Sequence, residues 1–301
     1  MINFRKYQNQ LLFSFKIVIF LTVIYFLYSK FRLNEIEFSS INETNFIYII
    51  LIILSILFHI LLSIYRWYHL IKIEISNINF KIIYDVGIFG YLSDQISFFG
   101  LLLSRSVLLK KISKKTIIVS TILEKSIALF VKVLITIPGI IFIFLKFDYY
   151  FNEYFFYFFI VLLFLLTFFF LVLKNKKIYS LIDNINVFKI YLLNYKILYL
   201  ILLTIFIQFI NIFCFVLIFL FLNIDLSYIE VLFLIPLAIL LSSAQFLFGQ
   251  IGIRELAFFI VFQFTTFSNS TIILASLIYS VLYICILLLL SVINTVYNQL
   301  N

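Results

Sequence analysis

A few charged side chains interrupt long apolar runs, where they are costly. In Gly249-Gln250-Ile251-Gly252-Ile253-Arg254-Glu255, two glycines that permit close backbone approach precede an Arg-Glu pair at the start of an apolar stretch. An arginine at the bilayer centre costs roughly 2.5–3.5 kcal/mol on insertion scales, so such a group persists when it is paired or faces a watery cavity. At a helix start, Arg254 combines a bidentate guanidinium fork with free backbone N–H groups, which suits it to hold a phosphate. The structural alternative is a buried Arg254–Glu255 pair that locks two helices. The residues alone leave both open.

A second set lies in Thr116–Leu145, where Glu124 and Lys125 are adjacent and Lys132 follows seven residues on, on the Lys125 face. A helix with these groups must turn that side to a bundle interior, either as a cavity wall or as a salt bridge. Asp85 and Asp94 are candidates to receive the charges, to relay protons, or to line a polar cavity. Arg105 and the Lys110–Lys115 cluster stand at one end of this region. Arg66-Trp67-Tyr68 reads as an interfacial anchor of a cation and amphipathic aromatics, with headgroup contact as the alternative. His59, inside an apolar run, is expected to bond to a neighbouring helix rather than to act in catalysis. With two histidines and two cysteines, Cys214 and Cys285, in 301 residues, the sequence offers no disulfide framework. It also implies no metal site, no Ser-His-Asp triad and no cofactor.

These groups must be positioned by membrane helices. Hydrophobic residues are 65% of the chain and charged residues 12%, against roughly half and a quarter in soluble proteins. A globule could not hide that much apolar surface, so the fold class is all-α, a polytopic membrane helix bundle. Runs of about 20 apolar residues are Leu11–Tyr28, Phe46–Tyr65, Thr116–Leu145, Tyr154–Leu173, Ile197–Leu222, Val231–Phe248 and Ile272–Val296. The first is too long for a signal peptide and has no small-residue cleavage site, so it reads as an uncleaved span. Ile82–Leu103 is interrupted by Gly87, Gly90 and Gly100, and Ile251–Phe267 is opened by Gly249 and Gly252. The expectation is one transmembrane domain over 1–301, with six to eight spans and two broken or re-entrant segments. Each half, 1–150 and 151–301, offers two spans, a broken segment with an arginine and a long span, an inverted-repeat pattern that in transporters points to a central site.

Charge sets the expected orientation. With the N-terminus in the cytoplasm, the inside loops hold 15 of the 22 basic residues, from Arg5 to Lys196. The outside loops keep Lys30, Arg32 and Lys146 together with acids such as Glu35, Glu37 and Glu43. That is a positive-inside signal. The net charge of +9 then reflects topology and contact with anionic lipid rather than nucleic acid. Both flanks of Ile82–Leu103 are basic, so a segment with both ends inside enters and returns.

In order, these signals resemble the flippase-like transmembrane domain of lysylphosphatidylglycerol synthases and its stand-alone relatives, over nearly the whole chain. Arg66-Trp67 matches the Arg-Trp that closes an early span. Gly100 to Arg105, then Leu108-Leu109-Lys110-Lys111 and Ser113, correspond to a Gly-rich loop leading to an arginine, a leucine run and a Lys/Ser stretch. Glu124-Lys125 occupies a Glu-Arg position, and Gln250 to Glu255 fits a Gly-x-Gly-x-Arg-Glu motif, with Gly249 as the extra glycine. The family's usual proline and acid before the first arginine are replaced here around Ser97 and Leu103.

With no aminoacyl-transferring domain expected after Asn301, the resemblance implies the membrane part and not synthase activity. The expectation is a translocator of a phosphate-bearing or anionic lipid in the cytoplasmic membrane of a bacterium or archaeon, acting in cell-envelope biogenesis. An aminoacyl-phospholipid and a polyprenyl-linked intermediate are the lipids considered. The expected binding residues are Arg254, Glu255, Gly249, Gly252, Glu124, Lys125, Lys132, Arg105 and Arg66. The alternatives are a membrane glycosyltransferase and a non-transporting partner of envelope-biosynthesis enzymes. The chain's bias to anionic lipid rests on position: Arg254 sits at a helix start, where the dipole adds positive potential, and Arg105 and Lys110 crowd the cytoplasmic mouth.

Overall fold

Ile52, Ile56, Ile60 and Ile64 recur every fourth residue, and Trp67 and Ile71 continue the stripe, so one side of a long helix is apolar and buried. Leu51, Leu54, Phe58 and Leu61 occupy the other side and remain exposed, as a lipid-facing surface requires. This is α1, Asn45–Glu74, in a computed structural model that describes residues 45–96, 100–109, 112–146, 196–228, 230–243, 252–263, 265 and 267–300. The remaining helices are α2 (Phe80–Ile96), α3 (Gly100–Leu108), α4 (Lys114–Lys146) and α5 (Lys196–Phe221), then α6 (Ile235–Leu241), α7 (Ile253–Phe262) and α8 (Asn269–Leu300). Among the described residues there is no strand, and the all-helical membrane bundle expected from composition is what forms.

Among the described residues three helices, over Phe46–Glu74, Lys196–Phe221 and Asn269–Tyr297, are long and apolar enough to cross a bilayer. At 1.5 Å rise per residue, 26 residues reach about 39 Å, more than the ~30 Å hydrocarbon core. The fourth long helix, α4, has 33 residues but carries Glu124, Lys125 and Lys132 in its middle. It packs against α1, α3, α5 and α6, which gives its charged face neighbours on several sides. The expected spans Leu11–Tyr28 and Tyr154–Leu173 lie outside the described residues.

The broken segment 82–103 is a pair of helices, α2 and α3, packed closely on each other. Of the three glycines expected to interrupt it, two do not. Gly87 and Gly90 lie within α2, where a Cβ would come within 2.9 Å of Ile64 and 3.0 Å of Leu101 respectively. They are contact points, not breaks. Gly100 opens α3, and a Cβ there would collide with the Ser93 carbonyl.

The expected span Val231–Phe248 opens with a π-helical turn, Glu230–Leu234, that leads into α6 and Pro236. Pro236 has no N–H to return to the preceding turn, and its carbonyl accepts the Thr136 hydroxyl of α4 at 3.4 Å. Residues 231–243 of the expected span Val231–Phe248 are described, and the helix in it ends at Leu241. Beyond 244–251, α7 runs for just ten residues, about half a membrane thickness. Phe215 of α5 stacks on Phe258 of α7 at 4.4 Å and on Tyr279 of α8 at 4.6 Å, which joins the two short helices' side of the bundle to its core.

Candidate functional site

The charged residues of α1, α3 and α4 meet at one carboxylate. Glu124, 1% exposed, receives Arg66 Nη2 at 3.1 Å on Oε1 and Arg105 Nη1 at 2.6 Å on Oε2. The Tyr91 hydroxyl of α2 donates to Oε1 as well. Four helices therefore converge on two oxygens. Charge-assisted bonds of this kind are the strong ones, and a buried carboxylate needs its lone pairs filled. The three charged groups sum to one positive charge.

The arginines are held on their other sides. Arg66 Nη1 donates to Thr204 Oγ1 of α5 at 3.2 Å, and Arg105 Nη1 also reaches Thr121 Oγ1 at 3.3 Å. The Arg105 guanidinium lies over the Trp67 ring, 3.6 Å from its centroid. Trp67 Nε1 in turn donates to Ser120 Oγ at 3.3 Å. Trp67 is fully buried, so the interfacial-anchor reading of Arg66-Trp67-Tyr68 is corrected for its first two residues. The helix continues past them to Glu74, and the Arg105 guanidinium covers Trp67's face.

Further along α4, Lys125 Nζ donates to Asp94 Oδ1 of α2 at 2.7 Å, which is the partnership the sequence allowed. Lys132 donates to Ser243 Oγ, after α6, at 2.6 Å. Beside Lys132 is a cavity of ≈ 10 Å³, about the room one water needs, with Gln208, Ile212 and Pro236 in its wall. Gln208 Oε1 has no partner among the described residues. Thr204, Gln208 and Asn211 stand at i, i+4 and i+7 on α5, a polar stripe in an otherwise apolar helix. The sequence reading missed it, although that spacing was the available signal. His59, expected to bond across to a helix, instead meets Tyr283 of α8 edge-on at 5.9 Å, and its Nδ1 has no partner among the described residues.

The last pair forms a separate clasp. Gly252, at φ 91°, lets the chain turn into α7, a backbone conformation that side chains other than glycine's rarely adopt. Its N–H donates to Glu255 Oε2 at 2.5 Å, which caps the helix. Ser280 Oγ of α8 donates to Glu255 Oε1 at 2.7 Å and accepts Arg254 Nη1 at 3.0 Å. Arg254 also sits over the Tyr279 ring at 4.6 Å. Ser280 and Tyr279 were not foreseen. Gly249 lies outside the described residues.

The eight described residues of the nine expected thus divide. Arg66, Arg105 and Glu124 touch, Lys125 and Lys132 extend the same face of α4, and Arg254, Glu255 and Gly252 form a second cluster. Among the described residues no three His, Cys, Asp or Glu side chains gather as a metal site. No curated protein and no solved structure matches the chain. A sequence model of the lysylphosphatidylglycerol synthase TM region matches residues 13–291. With nearly its whole length matched and its helices apolar enough to cross a bilayer, the chain belongs to the lysylphosphatidylglycerol synthase TM region family, as a membrane protein of lipid or envelope biosynthesis.

Proposed function

We propose that the protein is a flippase-like lipid translocator of the cytoplasmic membrane, N-terminus inside, acting on a lipid whose headgroup carries phosphate or another anion. The observation that supports this is the pairing of two buried guanidiniums with a single carboxylate, Arg66 and Arg105 on Glu124. In a low-dielectric interior an uncompensated positive charge is expensive, and an anion that enters beside it is strongly favoured. Lys132 adds a further cation, which donates to the neutral hydroxyl of Ser243. A headgroup could be carried past these cations while its tails stay among the exposed apolar side chains of α1, α5 and α8.

The test is a headgroup-resolved flipping assay on the full chain in proteoliposomes. Phosphate-bearing lipid should cross faster than in protein-free vesicles, and a neutral diacylglycerol analogue should show no protein-dependent gain. Equal rates with and without protein for every anionic lipid would reject the reading and favour a non-transporting partner of biosynthetic enzymes.

A further inference from the structure

The lipid-handling reading, on which this inference rests, does not say which donors hold the phosphate. Arg105 is 0% exposed, and its bonds to Glu124 Oε2 and Thr121 Oγ1 both use Nη1. Trp67 covers its face. Its Nε and Nη2 have no acceptor among the described residues. These two N–H groups lie along one edge of the guanidinium and form the fork that takes a carboxylate or phosphate bidentately. Buried donors of this kind are seldom left unmatched, because each loses its water and gains nothing in return.

A second observation marks the same edge. Gly90 lies inside α2, where glycine is otherwise unfavourable. A methyl group there would stand 3.4 Å from Arg105 Nε and 3.0 Å from Leu101 Cδ1. The neighbouring helix therefore presents a bare backbone where any side chain would lean on the fork. Nearby, Arg66 uses Nη1 and Nη2 but has no acceptor for Nε among the described residues.

We propose that the Nε–Nη2 edge of Arg105, beside Gly90, is the seat of a phosphate oxyanion, with Arg66 supplying the second positive charge. Glu124 is a positioning residue for this seat. By fixing Nη1 of Arg105 and Nη2 of Arg66, it turns the remaining donors toward the anion. The same chemistry would accept a lipid headgroup or free phosphate.

The experiment measures equilibrium binding to the purified full chain in neutral detergent. Its probes are phosphatidic acid, diacylglycerol with the same tails, and inorganic phosphate, and the emission of Trp67, the chain's single tryptophan, is recorded alongside. Phosphatidic acid should bind saturably and shift Trp67 emission, and diacylglycerol should do neither. Arg105→Lys should weaken that binding at least about tenfold, since a point charge replaces a fork. Gly90→Ala, which needs only the end of Leu101 to give way and sets a methyl in contact with Nε, should weaken it about fivefold or more. Should Arg105→Lys fail to fold, Gly90→Ala carries the test.

Midpoints within twofold of wild type in the folded variants would overturn the Arg105 seat and leave the lipid reading standing. No preference for phosphatidic acid over diacylglycerol in the wild type would overturn the lipid reading itself, and the seat with it if inorganic phosphate also fails to bind. Saturation by inorganic phosphate as readily as by phosphatidic acid, lost in both variants, would support the seat and reject the lipid as its occupant.

Discussion

Glu124→Gln changes one charge and almost no volume, which makes it a direct measure of what the carboxylate does. In the native protein its oxygens accept Arg66 Nη2 at 3.1 Å, Arg105 Nη1 at 2.6 Å and the Tyr91 hydroxyl. Glutamine has one acceptor oxygen and one NH2 group. Whichever way it turns, the NH2 faces a donor, and at least one guanidinium loses its bond. Hydrogen bonds to charged groups contribute about 1.5–3 kcal/mol each, and removing one partner from a buried ion pair costs about 3–5 kcal/mol. These figures describe the same loss and do not add, so the expected destabilisation is about 3–5 kcal/mol. Melting temperature falls by roughly 2–4 °C per kcal/mol in chains of 150–250 residues. At the lower end, suited to 301 residues, the drop is about 6–10 °C. Thermal unfolding of detergent-purified protein, followed by Trp67 fluorescence, reads it. If the carboxylate were solvated, the pair would contribute under about 1 kcal/mol. A fall of less than about 2 °C would therefore refute the buried-hub account. So would strict additivity between Glu124→Gln and Arg66→Gln, because groups in one network should couple by about 0.5–3 kcal/mol.

Gly252→Ala forces a methyl-bearing residue to φ 91° and should destabilise by about 1–2 kcal/mol, seen as a fall of roughly 2–4 °C in the same melt. Arg254→Lys replaces the planar group stacked over Tyr279 with a point charge, and headgroup-dependent flipping should drop about tenfold; wild-type rates would remove Arg254 from the binding residues. A cysteine at the exposed position 114 should react with an impermeant thiol reagent only after cells are opened, and labelling of intact cells would invert the proposed orientation.

The helical bundle was legible because lipid leaves few choices: apolar runs of span length must be helices, and α1, α4, α5 and α8 lie where those runs are. The charged pairs were legible for the same reason, since Glu124, Lys125 and Arg254 could persist only if they faced inward. Less visible was how each charge is satisfied. Trp67 looks like an interface residue in sequence, and only the arrival of Arg105 from α3 makes its face a cation's resting place. Ser280 looks like one more small residue in α8, yet it bridges Arg254 and Glu255 because α7 starts beside it. Gly87 and Gly90 were read by their helix-breaking tendency, whereas close packing on Ile64 and Leu101 holds them in a continuous helix. Propensity is local, and the contacts that overrode it are not.

The two charge clusters among the described interior residues differ in their balance. Around Gly252, one arginine and one glutamate share Ser280, and the result ties the first turn of α7 to α8. Around Glu124, two arginines share one carboxylate, and Lys125 pairs with Asp94 beside them, so these described groups sum to one positive charge. Lys132 stands eight residues beyond Glu124, about 12 Å along α4, and donates to Ser243. For a translocator, spacing two moderate attractions along one helix is more useful than concentrating them. An anion held at a single deep well would bind tightly and stay, whereas stations that are individually weaker let it enter and leave. The excess charge on α1, α3 and α4 therefore fits the handling of a headgroup in passage better than its permanent capture.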